Sequence, residues 1–196
     1  MSISSFEYCK YEVRRDLVNA HEETWERISS PGTWLTGERR VAVAREIRNA
    51  RERSACSEVK ESLSPATIVV INMTEGVLRD AEVELIHRVV CDPGRLSESW
   101  SQSIIDQGIS EGEYIEIVGV IAMVMILDTF TLGLGLPDAE LPHPLKGEPT
   151  KYTPPGAKKE AAWLPIVEPE DTVAEDGPMY PNGDAAYIYR GLSAVP

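Results

Sequence analysis

Apolar residues recur at helical spacing along most of the first 137 residues. Between residues 7 and 28, apolar side chains alternate with charges in a way that predicts an amphipathic helix covering one side of a core. The stretch Thr36–Leu63 has no proline and only one glycine, at its start, and predicts a long helix. Leu78–Val90 repeats the pattern, and the Cys-Asp-Pro-Gly sequence that follows ends it. We therefore expect an all-α fold of about six helices.

The most apolar segment lies between residues 110 and 134. Ser110 and Glu113 have capping-box spacing, and Glu116 is the only charge between Ile115 and Leu127. About 20 apolar residues are needed to span a bilayer, and this run is shorter. A helix that is apolar on all sides is buried, either in the core of a domain or in a subunit interface, and both alternatives stay open.

Two connecting segments give less regular patterns. Residues 66–78 hold a short β-branched run, for which we expect a loop or a helical turn because no second strand is predicted to pair with it. Ser97 suits the N-cap of a short helix that carries Trp100.

The character of the chain changes after Pro137, where it becomes proline-rich and polar. Trp163, Tyr180 and Tyr187 are spaced among turn residues, and such aromatic side chains favour contact with a folded surface. We expect a helical domain at 1–137 and an extended arm at 138–196, packed on that domain or on a neighbouring subunit.

Charge and cysteine content limit the partners that we expect. Thirty-two acidic residues against 19 Lys and Arg give a net charge of -13, which disfavours nucleic acid and anionic membranes as partners. The three cysteines are an odd number, and the N-terminus has no apolar signal region, so we expect a cytoplasmic protein with reduced thiols. No known metal-ligand signature and no phosphate-binding glycine loop occurs, so no metal and no cofactor are predicted.

Cys56 is the first candidate for chemistry. Arg53 stands three residues before it and Lys60 four residues after it, so on a helix both cations can approach the sulfur and favour the thiolate. Glu52 opposes this by favouring the protonated thiol. The alternative is that Cys56 is a small buried residue of an amphipathic helix.

His87 and Asp128 are the other candidates. A lone histidine on a helix is either a packed residue or a proton donor or acceptor. Asp128 follows an almost wholly apolar run, so its carboxylate needs a charged partner, a cavity or the helix end. Both residues could join Glu46 and Glu116 in a metal site, although their spacing matches no known ligand set.

Three segments taken together resemble a known superfamily. They are PGTWLTGERRVAVAREIRNARERSACSEVKESLSP, LIHRVVCDPGRLSESW and EYIEIVGVIAMVMILDTFTLGLGLP. Over roughly residues 25–137 they are similar to the AhpD-like, or carboxymuconolactone decarboxylase-like, superfamily, and most of all to its alkylhydroperoxidase-related branch. The resemblance implies an AhpD-like helical bundle and a homo-oligomer built as a dimer, trimer or hexamer.

The redox members of that superfamily carry a C-x-x-C motif followed by a histidine four positions after the second cysteine. On this chain Cys56 matches the second cysteine, Arg53 stands at the first, and Lys60 stands at the histidine. The resemblance and the residue patterns together predict Cys56, Lys60, His87 and Asp128 as catalytic residues. Arg53 and Trp100 are the predicted substrate-binding residues.

Three functions remain open on this basis. The first is peroxide reduction by Cys56 as a single thiol, resolved by an external thiol reductant. The second is a decarboxylase-like member that binds or transforms a small organic acid, with His87 or Asp128 as proton donor. The third is a catalytically silent structural subunit.

Overall fold

The computed structural model describes residues 5–52, 61, 76–159, 162–176, 179–180 and 191–195. Within these ranges the protein is all-α, with five α-helices and no β-strand beyond one isolated bridge, which confirms the predicted class. The helices are α1 (Arg15–Ser29), α2 (Gly37–Glu52), α3 (Asp80–Cys91), α4 (Glu98–Asp106) and α5 (Glu111–Gly133). The AhpD-like arrangement of the bundle stays a prediction.

Several predicted boundaries agree with the structure. The Ser110 hydroxyl accepts a hydrogen bond from the Glu113 backbone, and the Glu113 carboxylate accepts one from Ser110 in return, so the capping box of α5 is confirmed. The Ser97 hydroxyl accepts a hydrogen bond of 3.2 Å from the backbone of Trp100 and caps α4, as predicted.

The predicted first and second helices are described only in part. A short 3-10 helix, Ser5–Tyr8, precedes α1, which begins at Arg15 rather than near residue 7. The long helix predicted for Thr36–Leu63 is seen as α2 up to Glu52. The predictions for Arg53, Cys56 and Lys60, and for most of the 66–78 loop, lie outside the described residues.

The core forms where α2, α3 and α5 pack against one another, with α1 on one side. Ile47 of α2, Leu85 of α3 and both Ile117 and Val124 of α5 are fully or almost fully buried there. By length and composition alone α5 could also cross a membrane, and more than half of its most apolar part is buried inside the protein. The predicted burial of α5 is confirmed for most of the helix, but Ala122, Ile126, Thr129 and Leu132 are exposed.

Ion pairs between helices define their directions. Arg40 of α2 contacts Glu116 of α5, and Arg48 further along α2 contacts Asp128 further along α5. The later arginine of α2 thus pairs with the later acid of α5, so the two helices run parallel.

The chain after α5 runs back over the loop between α1 and α2. Leu145 donates its backbone N–H to the Ser29 carbonyl at 2.8 Å, and Lys151 donates to the Thr33 carbonyl at the same distance. Further on, Ile166 is buried and forms an antiparallel bridge with Lys158. The division of the chain into two parts at residue 137 stays a prediction.

Candidate functional site

A buried polar contact lies between α2 and α3. Glu46 and Ala50 are four residues apart on α2, and His87 and Cys91 are four residues apart on α3, so each pair shares one face of its helix. The Nε2 atom of His87 lies 2.7 Å from Oε1 of Glu46. One turn further, the Cys91 Sγ lies 3.8 Å from the Ala50 carbonyl oxygen. The structure thus places a carboxylate, an imidazole and a sulfur in sequence along one helix interface.

This interface is closed to solvent. Relative exposure is 0% for Glu46, 1% for His87 and 2% for Cys91. The second carboxylate oxygen of Glu46 accepts a hydrogen bond of 3.1 Å from the Asn49 amide. A contact of 2.7 Å between Nε2 and Oε1 requires a proton on one of the two atoms. The pair therefore shares an exchangeable proton that is shielded from bulk water. In such a buried, low-dielectric setting, replacing either partner strongly changes the energy of the hydrogen bond.

Cys91 is disulfide-bonded, whereas Cys9 is free. The sulfur that is bonded to Cys91 lies outside the described residues. This differs from the expectation of three reduced thiols. Sequence reasoning did not single out Cys91. Two signals were available: its spacing of four residues from His87, and Arg88 and Arg95, which stand three residues before it and four after it, as Arg53 and Lys60 do around Cys56.

Asp128 has the charged partners that its position in an apolar helix required. Arg48 donates two hydrogen bonds to it, of 3.0 Å from Nε and 2.8 Å from Nη2, and Arg51 donates a third of 2.6 Å from Nη1. Both carboxylate oxygens are thus engaged by guanidinium groups. The structure brings Asp128 to these arginines and not to His87.

Glu116 is the centre of a second ion-pair cluster. Its Oε1 accepts a hydrogen bond of 2.6 Å from Nη1 of Arg40. Its Oε2 accepts from the backbone N–H groups of Trp34 and Leu35, at 2.5 and 3.1 Å. One buried carboxylate on α5 therefore holds both the loop before α2 and the first turn of α2.

Glu113 forms a third cluster with Arg39 and Arg79, at 2.8 and 3.0 Å. Burial on its own raises the pKa of Glu113, but the Ser110 backbone N–H and the two guanidinium groups outweigh it. Together they lower the pKa from 4.5 to about 2. Arg39 also contacts the buried Glu82 on α3, so this cluster joins α2, α3 and α5.

Trp100, a predicted substrate-binding residue, packs at the surface between α3 and α4. Its indole N–H donates to Glu84 at 3.3 Å, and the Arg88 guanidinium lies 5.8 Å from the ring centroid. Among the described residues no three His, Cys, Asp or Glu side chains come together as a metal site. Glu46 and His87 meet, while Glu116 and Asp128 each pair with arginine.

Comparisons with known proteins add no assignment: no family model, no curated protein and no solved structure matches this chain. The AhpD-like resemblance therefore remains a prediction from the sequence.

Proposed function

We propose that this protein is an AhpD-like thiol oxidoreductase that reduces organic hydroperoxides, with Cys91 as one of two redox sulfurs. The observation that carries the proposal is the disulfide-bonded Cys91, one helical turn from a His87 that contacts Glu46 at 2.7 Å. Cys56 is the proposed second sulfur, because it matches the second cysteine of the superfamily motif and because Cys9 is free. With a second sulfur, the proposed mechanism uses a disulfide within the protein instead of the single thiol that the sequence suggested.

The buried Glu46–His87 pair suits this chemistry because thiol–disulfide exchange requires a proton at the leaving sulfur. His87 faces the same side of α3 as Cys91 and can deliver or accept that proton, while Glu46 holds the imidazole in place. In this role His87 is the predicted proton-transfer residue, and Glu46 positions it. Asp128 has no such role in the proposal, since its oxygens already accept three hydrogen bonds.

The proposed cycle has a reductive half. A thiolate of an external dithiol attacks one sulfur of the disulfide, a new mixed disulfide forms, and the other protein sulfur leaves and takes a proton from the His87 side. The second thiol of the reductant then attacks the mixed disulfide, which releases the oxidised reductant and leaves two protein thiols.

The oxidative half returns the enzyme to its starting state. One protein thiolate attacks the terminal oxygen of a hydroperoxide, the O–O bond breaks, and an alcohol leaves after protonation. The resulting sulfenic acid condenses with the second protein thiol, which restores the disulfide and releases water. The sum is one dithiol and one hydroperoxide converted to one disulfide, one alcohol and one water.

The test measures cumene hydroperoxide consumption in the presence of dithiothreitol, using the full-length chain. We expect turnover by the wild type and by Cys9→Ser, and loss of turnover in Cys56→Ser and in Cys91→Ser. Glu46→Gln preserves the size of the side chain but removes its charge, so it should slow turnover at least tenfold and change its pH profile. Peptide mapping without reductant should link Cys91 to Cys56.

Two results would overturn the proposal. One is equal peroxide consumption by the wild type and Cys91→Ser. The other is a disulfide that dithiothreitol reduces only after the protein is unfolded, together with no turnover. The second result would favour the structural-subunit alternative, since Cys91 is almost fully buried.

A further inference from the structure

A cavity of about 740 Å³ lies between α1, the start of α2, α5 and the C-terminal segment. Its volume is in the range typical of small-molecule sites. Its lining includes Arg40, Glu116, Ile115, Gly119, Met123 and Leu192. None of them belongs to the Glu46–His87–Cys91 site, so the cavity is a separate feature.

Arg40, which lines this cavity, is a buried guanidinium with an unused donor. Its Nη1 donates to Glu116 at 2.6 Å, but its buried Nε has no acceptor among the described residues. Glu116 cannot supply that acceptor as it stands, because its second oxygen already accepts from two backbone N–H groups. A buried N–H without an acceptor costs about 1–3 kcal/mol, so the site favours a ligand that provides one.

The backbone of Gly32 holds this arrangement tightly. A Cβ atom built at Gly32 would lie 2.0 Å from both Arg40 Nη1 and Glu116 Oε1. The Nη1 end of the guanidinium is therefore packed closely between the loop and α5, which restricts how the planar group can move. A preorganised donor of this kind binds a planar acceptor at low entropic cost.

The remaining walls indicate the rest of the ligand. Ile115, Met123 and Leu192 give the cavity an apolar side, while Glu23 and Glu26 stand at its exposed rim. Arg27 stands at the same rim, so the rim carries one net negative charge, which disfavours a ligand with several negative charges more than a ligand with one. We infer that this cavity binds a monocarboxylate with an apolar chain, its carboxylate accepting from Arg40 Nε and its chain lying along Ile115, Met123 and Leu192.

The direct test is a titration with octanoate followed by NMR of the arginine Nε–H signals. We expect the Arg40 signal to shift, because charge-assisted hydrogen bonds change the environment of the donor most. Octanol has the same chain without the carboxylate, and we expect it to bind at least tenfold more weakly.

A pair of variants on α5 locates the site. A Cβ at Gly119 would make only ordinary contact with Leu192, at 3.6 Å, so Gly119→Leu is expected to fold and to extend into the cavity. It should weaken octanoate binding at least tenfold. Ala122→Leu adds the same side chain on an exposed part of the same helix and should leave the affinity unchanged.

Three outcomes would overturn the inference. They are no shift of the Arg40 Nε–H signal at saturating octanoate, equal affinity for octanoate and octanol, and equal affinity of the two α5 variants for octanoate. If Gly119→Leu does not fold, the wild-type comparison of octanoate with octanol decides the matter. Because neither cysteine chemistry nor turnover enters these measurements, their result is independent of the proposed peroxidase function.

Discussion

The Nε2 atom of His87 lies 2.7 Å from Oε1 of Glu46, and neither side chain reaches solvent. Loss of one partner leaves the other buried without its hydrogen bond, so Glu46→Leu should lower the free energy of unfolding by about 1–3 kcal/mol. The double variant Glu46→Leu/His87→Leu should lose less than the sum of the two single variants. Urea unfolding measures this, and strictly additive losses would contradict a direct coupling between the two residues.

The disulfide at Cys91 should stabilise the fold. If Cys56 is its partner, the bond closes a loop of about 35 residues, and its reduction should cost about 2–4 kcal/mol. Urea unfolding with and without a phosphine reductant measures the difference. Cys91→Ser should be as unstable as the reduced wild type and insensitive to reductant. Cys9→Ser is the matched control and should respond to reductant as the wild type does.

Glu113 should contribute to acid sensitivity. Its pKa is about 2 in the folded protein against 4.5 for the free side chain, so the unfolded chain takes up the proton first as the pH falls. Its stabilising effect is thus complete above pH 4.5 and is lost as the pH falls towards 2. Partial exposure to solvent limits the effect to about 1–2 kcal/mol. The free energy of unfolding, measured with urea, should differ less between pH 6 and pH 3 for Glu113→Gln than for the wild type. The exposed Glu98→Gln variant should show the same pH dependence as the wild type.

Gly32 should not tolerate a side chain. The Cβ of Gly32→Ala would lie 2.0 Å from both members of the Arg40–Glu116 pair, and Glu116 is held in place by two backbone N–H groups, so we expect a loss of about 1–3 kcal/mol. At Gly133, at the end of α5, a Cβ meets nothing within 4 Å. Gly133→Ala should be neutral or slightly stabilising. Equal thermal unfolding of the two variants would contradict the clamped geometry.

We expect the chain to form a homo-oligomer, as the sequence resemblance implies. On α5, Ile126 is 67% exposed and Leu132 is 48% exposed, and a second copy of the chain is the partner we propose for them. Light scattering at micromolar concentration should give a dimer, trimer or hexamer, and Ile126→Glu should lower the mass. Leu145→Glu, half exposed outside the helices, is the control. A monomeric wild type would contradict this prediction.

The sequence was informative where structure depends on nearby residues. The capping box at Ser110 and Glu113, and the burial of the apolar run that follows, depend on contacts within one helix or on its overall composition. The need of Asp128 for a partner also followed from its neighbours alone. The identity of that partner did not, because Arg48 and Arg51 lie about 80 positions away.

The candidate site was less accessible to sequence reasoning. Glu46 and His87 are 41 positions apart, and their contact depends on how α2 and α3 are rotated against each other, which periodicity does not determine. Arg40 stands in a strongly charged stretch and therefore resembles a surface residue. Its burial becomes evident only when the loop at Gly32 and the face of α5 are placed against it.

The acids of α5 have a consequence for how many ways the chain can fold. Because α5 is apolar on nearly every side, turning it about its axis would bury a similar area, and hydrophobic burial alone leaves several orientations close in energy. Glu113, Glu116 and Asp128 remove that degeneracy, since only one orientation brings all three to arginines of α2. Such buried pairs contribute little net stability compared with apolar replacements. Their effect here is to select one orientation of α5, and therefore one native state, from several that burial alone would leave close in energy.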